Sequence, residues 1–138
     1  MLREDLKKIL PHRDPMLLLD EAYVEDGVAH GIYNVKGDEW FLQGHYPGNP
    51  VVPGVVLCEI MAQTCGVMLD EELKGKTPYY TGIDKVRFKN MVKPGDMIEV
   101  KASVLKAKGI FYFTSCEAYV KDKLCAKGEL SFALVEGK

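Results

Sequence analysis

The chain is short of the residues on which several functional classes depend. Its 138 residues include three histidines, four cysteines and one tryptophan, and the formal net charge is only -2. A balance so near neutral gives no global field to draw the protein to nucleic acid or to an anionic membrane. No apolar run is long enough to cross a bilayer uninterrupted, and the opening Met1-Leu2-Arg3-Glu4-Asp5-Leu6-Lys7 has no signal-peptide core. A cytosolic (cytoplasmic) protein is expected. Cys58, Cys65, Cys116 and Cys125 form no Cys-x-x-Cys pair and sit among apolar neighbours, so buried free thiols are expected rather than disulfides. His12 and His30 have no metal-ligand spacing with one another or with a carboxylate pair, which argues against a metal site. No Gly-rich loop joins a strand to a helix, so neither a nicotinamide nor a flavin cofactor is implied.

What is present reads as one globular domain. There is no internal repeat, low-complexity tract or Gly/Ser linker to divide residues 1–138. Residues 2–10 carry Leu2, Leu6, Ile9 and Leu10 at helical spacing, and Pro11 ends the run. Residues 16–24 suit a strand, and Asp26-Gly27 turns the chain into a second extended stretch, 28–35. A Gly/Pro-rich loop follows at 43–54. The longest apolar stretch, 55–69, is apolar on nearly every side, which predicts a buried helix. Four strands are predicted beyond it, at 79–88, 97–105, 111–120 and 124–135, separated by Pro94-Gly95-Asp96, Lys108-Gly109 and Lys121-Asp122. Antiparallel strands around one buried helix make an α+β domain.

Glu59 is the most informative residue. It stands inside the apolar helix, where an unpaired carboxylate would cost several kcal/mol. Either it has a partner, such as a Lys or Arg elsewhere, or desolvation holds it protonated with a raised pKa, ready to act as an acid. Gln63, one helical turn on, shares its face and is placed to orient the carboxyl. His45 lies in Gln43-Gly44-His45-Tyr46-Pro47-Gly48-Asn49-Pro50, a loop stiffened by two prolines. It is either a solvated bystander or a positioned base. Pro53-Gly54 opens the helix, whose free N–H groups and positive dipole end suit a carbonyl oxygen that gains negative charge. A base, an acid and an oxyanion site are the parts needed to remove a proton α to a carbonyl and expel a β-hydroxyl.

These residues carry a resemblance. The segment from Gly44-His45-Tyr46-Pro47-Gly48-Asn49-Pro50-Val51-Val52-Pro53-Gly54-Val55 on to Glu59-Ile60-Met61-Ala62-Gln63 resembles the signature of 3-hydroxyacyl-acyl-carrier-protein dehydratases of the hot-dog fold. Leu10-Pro11-His12-Arg13 with Leu17-Leu18-Leu19-Asp20 is similar to that family's N-terminal segment. Gly82-Ile83-Asp84-Lys85-Val86-Arg87-Phe88, then Val92-Lys93-Pro94-Gly95-Asp96, resembles its third strand and turn. The resemblance implies a six-stranded antiparallel sheet wrapped around a long central helix, in a homodimer or a trimer of dimers. It implies paired central helices facing one another across a two-fold axis, and Ala62 and Gly66, small residues four apart, would allow their close approach. It implies His45 and Glu59 as catalytic residues, and Gly54 as the residue whose N–H binds the thioester carbonyl. Val55, Gln63 and Tyr79 would be substrate-binding, with Tyr79 at a tunnel entrance unless it is a core residue. Glu59 together with Gly48-Asn49-Pro50 points to the branch that dehydrates without isomerising the double bond. The substrate would be a 3-hydroxyacyl chain on an acyl carrier protein, with no cofactor and no metal.

Lys85, Arg87 and Lys89 alternate along a predicted strand and so share a face, opposite Val86 and Phe88. That face is either simply solvated or a docking patch for an acidic carrier protein. Two rival functions remain: a thioesterase of the same fold, with Glu59 activating water, and a non-catalytic module that binds acyl thioesters.

Overall fold

The computed structural model describes residues 1–44 and 48–136. His45 therefore lies outside the described residues. The elements run α1 (Arg3–Leu6), β1 (Glu21–Glu25), β2 (Val28–Asn34), a 3-10 turn (Trp40–Leu42), α2 (Gly54–Val67), α3 (Asp70–Leu73), β3 (Lys76–Phe88), β4 (Met97–Lys108), β5 (Phe111–Val120) and β6 (Lys123–Glu136). This is the predicted order with two short helical pieces added.

All six strands join one antiparallel sheet in the order β1-β2-β4-β5-β6-β3. The helix α2 packs against β1, β2, β4, β5 and β6. A sheet whose strands nearly all face one helix must curve around it, and the result is the hot-dog fold. Ile60, Met61 and Cys65 of α2 are fully buried against a core that includes Leu19, Ala29, Val100 and Ala118. Sealing side chains the size of Ile60 and Met61 from water stabilises by roughly 1.5–3 kcal/mol each. Close approach of helix and sheet depends on Gly31 of β2, where an added Cβ would lie 2.3 Å from Thr64 Oγ1. No helix among the described residues is long and apolar enough to cross a membrane.

Pro53 precedes the first turn of α2, where its missing N–H costs nothing. The helix ends two residues earlier than its apolar run, because Met68 and Leu69 N–H turn back to the Cys65 and Gly66 carbonyls. It is not buried all round. Val55, Glu59 and Ala62, spaced four and three apart, form a stripe that the rest of the chain covers incompletely, and Val55 is 76% exposed. All four cysteines are free and buried, as expected.

Two local expectations fail for identifiable reasons. The helix predicted over 2–10 is a single α-turn, followed by tighter bonds from Lys8 N–H to the Asp5 carbonyl and from Ile9 N–H to the Leu6 carbonyl. Leu10 stands before a proline and so disfavours a continuing α conformation. The strand predicted over 16–24 begins only at Glu21. Ahead of it, side chains take the backbone groups that a ladder would need. Leu18 N–H donates to Gln63 Oε1 at 2.8 Å, Met16 O accepts from Gln63 Nε2 at 2.7 Å, and Arg3 Nη1 donates to the carbonyls of Leu17 and Leu19 at 3.1 Å each. Leu17, Leu18 and Leu19 still enter the core, which is why the segment reads as a strand.

Candidate active site

Glu59 sits in the second turn of α2 on the incompletely covered stripe. Its carboxylate meets groups from three parts of the chain. Gln63 Nε2, one turn along the helix, donates to Oε2 at 2.9 Å. Tyr80 Oη of β3 donates to Oε1 at 3.1 Å. His12 Nε2, from the segment after α1, approaches Oε2 to 3.2 Å. Gln63 is 1% exposed, and its three hydrogen bonds clamp the segment around Met16 and Leu18 to the helix while orienting Glu59. The carboxylate is thus positioned by its own helix, by a sheet strand and by irregular chain.

The electrostatic outcome differs from the expectation of a raised pKa. Burial pushes the Glu59 carboxyl up, but His12, Gln63 and Tyr80 together outweigh it and hold the group below its ordinary value of 4.5. Of the two alternatives, a partner or a raised pKa, the molecule provides the partner. That partner is a histidine with two hydrogen-bond donors rather than a lysine or arginine. Tyr80 is affected in turn: burial and the adjacent charge of Glu59 raise its phenol well above the usual range.

Glu59 and Gln63 line a cavity of about 350 Å³ whose other walls are mainly apolar, among them Leu69, Leu73, Phe132 and Leu134. Tyr79 also lines it and is 58% exposed, so it stands at the rim rather than in the core. Such a space accepts an aliphatic chain with a polar group held at the Glu59 end. Gly54 and Val55 open α2 beside a separate depression with Phe88 and Met91. A Cβ on Gly54 would lie 2.9 Å from the Phe88 ring, so the missing side chain leaves room for that ring beside the helix's first N–H groups. Phe88, half exposed, leans on the start of α2.

The shared cationic face is corrected as well. The register of β3 against β6 shifts between Asp84 and Arg87, and Lys85 has φ +53°, so a bulge interrupts the alternation on which that expectation rests. Lys85 Nζ lies 3.6 Å from Glu129 Oε2 on β6, Arg87 donates to the Val86 carbonyl at 2.9 Å, and Lys89 falls beyond the strand. All three remain exposed.

Gly66 is accounted for inside the chain. Within this chain its missing side chain leaves room for Leu10, whose Cδ2 an added Cβ there would meet. His45, expected as a catalytic residue, falls outside the described residues. His12 and Tyr80 are site residues that the sequence reading does not anticipate. His12 belongs to the quoted Leu10-Pro11-His12-Arg13 block, which is a usable signal. Of Tyr79 and Tyr80, nothing in the sequence tells which reaches the helix.

The comparisons agree with this geometry. The model of the FabA-like domain family matches residues 10–129. A 3-hydroxyacyl-acyl-carrier-protein dehydratase FabZ of Caldicellulosiruptor saccharolyticus is 48% identical over 131 residues, covering 92% of this chain and 94% of the relative. Among solved structures, the dehydratase heterocomplex ApeI:P from Xenorhabdus doucetiae superposes with a TM-score of 0.79 at 23% identity, over 94% of this chain and 90% of that one. A point mutant of the fluoroacetyl-CoA-specific thioesterase FlK superposes with a TM-score of 0.70 at 14% identity, over 84% of this chain and 91% of that one. Structural likeness at such identities speaks for the fold alone, which hosts more than one chemistry. The family match and the near-complete relative at 48% identity decide the rest: the chain belongs to the FabA-like family.

Proposed function

We propose that the protein dehydrates (3R)-hydroxyacyl chains carried on an acyl carrier protein to the trans-2-enoyl thioesters, as a step of fatty acid elongation in the cytoplasm. The observation that carries this reading is the carboxylate of Glu59, held by three side chains at the wall of an apolar cavity. The similarity to a dehydratase, at 48% identity over nearly the whole of both chains, supports it.

In the proposed reaction His45 takes the α-proton while the first N–H groups of α2, at Gly54, stabilise the enolate oxygen. The C3–O bond breaks, Glu59 gives its proton to the departing oxygen, and water leaves. The reaction is redox-neutral and calls for no hydride carrier. Because its donors leave Glu59 ionised at rest, it takes up the proton it gives only once a bound acyl chain excludes water and adds to the burial that raises its pKa. The donors then stabilise the carboxylate as that proton departs, and the proton held by His45 returns to solvent before the next turnover. Val55, Gln63 and Tyr79 bound the acyl group and its thioester arm.

The working form is proposed as a homodimer, alone or within a trimer of dimers. The stripe Val55–Glu59–Ala62 and the long edge strand β3 offer an incompletely covered helix face and an unpaired strand side for a second copy. Lys85, Arg87 and Lys89 are proposed as the docking cations for an acidic carrier protein.

A carboxylate that rests ionised also suits a base, so a thioesterase reading has one observation in its favour. Incubation with a 3-hydroxyacyl thioester separates the readings. Rising enoyl absorbance without free thiol supports dehydration, whereas free thiol without enoyl product overturns it in favour of hydrolysis. Binding with neither product would identify a non-catalytic acyl-thioester module.

A further inference from the structure

His12 takes no part in the proposed proton transfers with substrate, yet it touches the carboxylate that does. Its segment is braced: Arg13 donates to the carbonyls of Leu10 at 3.0 Å, His12 at 2.7 Å and Lys7 at 3.0 Å, and Gln63 holds Met16 and Leu18. The ring's Nε2 is 3.2 Å from Glu59 Oε2, while its Nδ1 is buried and has no hydrogen-bond partner among the described residues. A proton on Nδ1 would be a donor shut away from water with nothing to accept it, which is costly. A proton on Nε2 points towards a carboxylate instead. Imidazole carries one nitrogen-bound proton when neutral, and this environment assigns it to Nε2.

The other contacts then sort the two carboxylate oxygens. Oε2 accepts from Gln63 and faces His12, so both its lone pairs are engaged. Among the described residues Oε1 accepts from Tyr80 alone, whose hydroxyl has a second acceptor in reach, the Cys58 carbonyl at 3.4 Å. If Oε1 carries a proton, Tyr80 turns its O–H to Cys58. A proton on Oε2 would have to displace an N–H donor. Among the described residues the titratable groups facing Glu59 are His12, Tyr80 of β3 and Cys58 of α2 itself, and no lysine or arginine pairs with it.

Resting on the dehydratase reading, we infer that His12 is a positioning residue: as neutral imidazole it donates from Nε2 to Glu59 Oε2 and so confines the transferable proton to Oε1. His12 exchanges no proton with substrate. It fixes which oxygen of Glu59 does.

The test compares His12→Ala with His12→Gln, whose amide keeps a neutral N–H near the position of Nε2 but cannot ionise in this range. Two readouts are followed: kcat for a 3-hydroxyacyl thioester, and the titration of the Glu59 carboxyl by carbon-13 NMR, assigned with Glu59→Gln. His12→Ala should lower kcat about ten- to a hundredfold, the scale of a hydrogen bond to a charged group. It should also move the Glu59 midpoint upward, and His12→Gln should recover most of both effects. An unmoved midpoint in His12→Ala overturns the inference. So does a folded His12→Gln as slow as the alanine variant, because an ionising imidazole would then be required. Should the alanine variant fail to fold, the tautomer of wild-type His12 decides by nitrogen-15 NMR: a proton on Nε2 alone supports the role, and protonation of Nδ1 at neutral pH overturns it. If the wild-type protein produced no enoyl thioester, the dehydratase reading would fall, while the NMR results would still rule on the contact.

Discussion

Tyr80 Oη stands 3.1 Å from Glu59 Oε1 and 3.4 Å from the carbonyl of Cys58, so a strand hydroxyl sits between the side chain and the backbone of the central helix. Tyr80→Phe removes that donor and leaves the ring packed beside Phe132. Turnover should fall about tenfold and stability by about 1–2 kcal/mol, as expected for one hydrogen bond to a charged group. Steady-state kinetics alongside urea denaturation checks this; an unchanged kcat would free Tyr80 from any role at the carboxylate.

The charge of Glu59 also makes stability depend on pH. Its folded carboxyl lies below the ordinary 4.5, so its contribution is fully present above that value and is lost as pH falls through the folded value. Wild type should therefore exceed Glu59→Gln in stability near neutrality, by about 1–2 kcal/mol on the scale of such hydrogen bonds. The gap should close in acid below the ordinary carboxylate range. Urea midpoints of both proteins across that range give the answer, and a gap that widens in acid contradicts that sign.

Gly31→Ala tests the contact between helix and sheet. The new methyl group would meet Thr64 Oγ1 at 2.3 Å and Leu19 Cδ2 at 3.0 Å, both in fully buried side chains. Overpacking of this kind costs about 1–3 kcal/mol. Adding Thr64→Ala to the variant should return part of the loss. Additive effects of the two changes, measured by denaturation, would show that they do not share this space.

The proposed dimer has a consequence for complementation. If each active site takes His45 from one subunit and Glu59 from the other, co-refolded His45→Ala and Glu59→Gln chains should regain about a quarter of wild-type activity. Half of the dimers are mixed, and each keeps one intact site. No recovery, with subunit exchange verified by mass spectrometry, places both residues in one chain.

Carrier-protein docking is tested by Lys85→Glu/Arg87→Glu. Use of carrier-borne substrates should weaken much more than use of small thioester analogues. Because Lys85 lies near Glu129, the variant's fold should be verified first. Equal loss on both substrates would leave the strand end a structural feature only.

The four strands of the chain's second half are legible in its sequence because apolar alternation and turn residues are local signals. The buried helix is legible because an apolar run of that length between polar ends is too long for a strand. Glu59 can be found for the same reason, as a charge where none belongs. Its ionisation is not legible. It depends on His12, in the N-terminal segment, and on Tyr80, 21 residues further along the chain, and contacts at such separations leave no periodic trace. The Leu17-Leu18-Leu19 run reads as a strand because burial shapes composition, whereas the hydrogen bonds that displace a strand there come from Gln63 and Arg3. Lys85 and Arg87 read as one face because a bulge changes parity without needing any particular residue type.

The three bonds of Gln63 carry a lesson for protein engineering. The central helix and the irregular stretch through Met16 and Leu18 are clamped together by the Gln63 amide, with His12 beside Glu59 as a second link. A chimera that imported residues 54–67 alone would bring Glu59 with Gln63 but leave His12, Met16 and Leu18 behind. One that imported residues 12–18 with them would keep these contacts, leaving Tyr80 of β3 as the contact the recipient must supply, so the useful crossover points lie outside those two stretches.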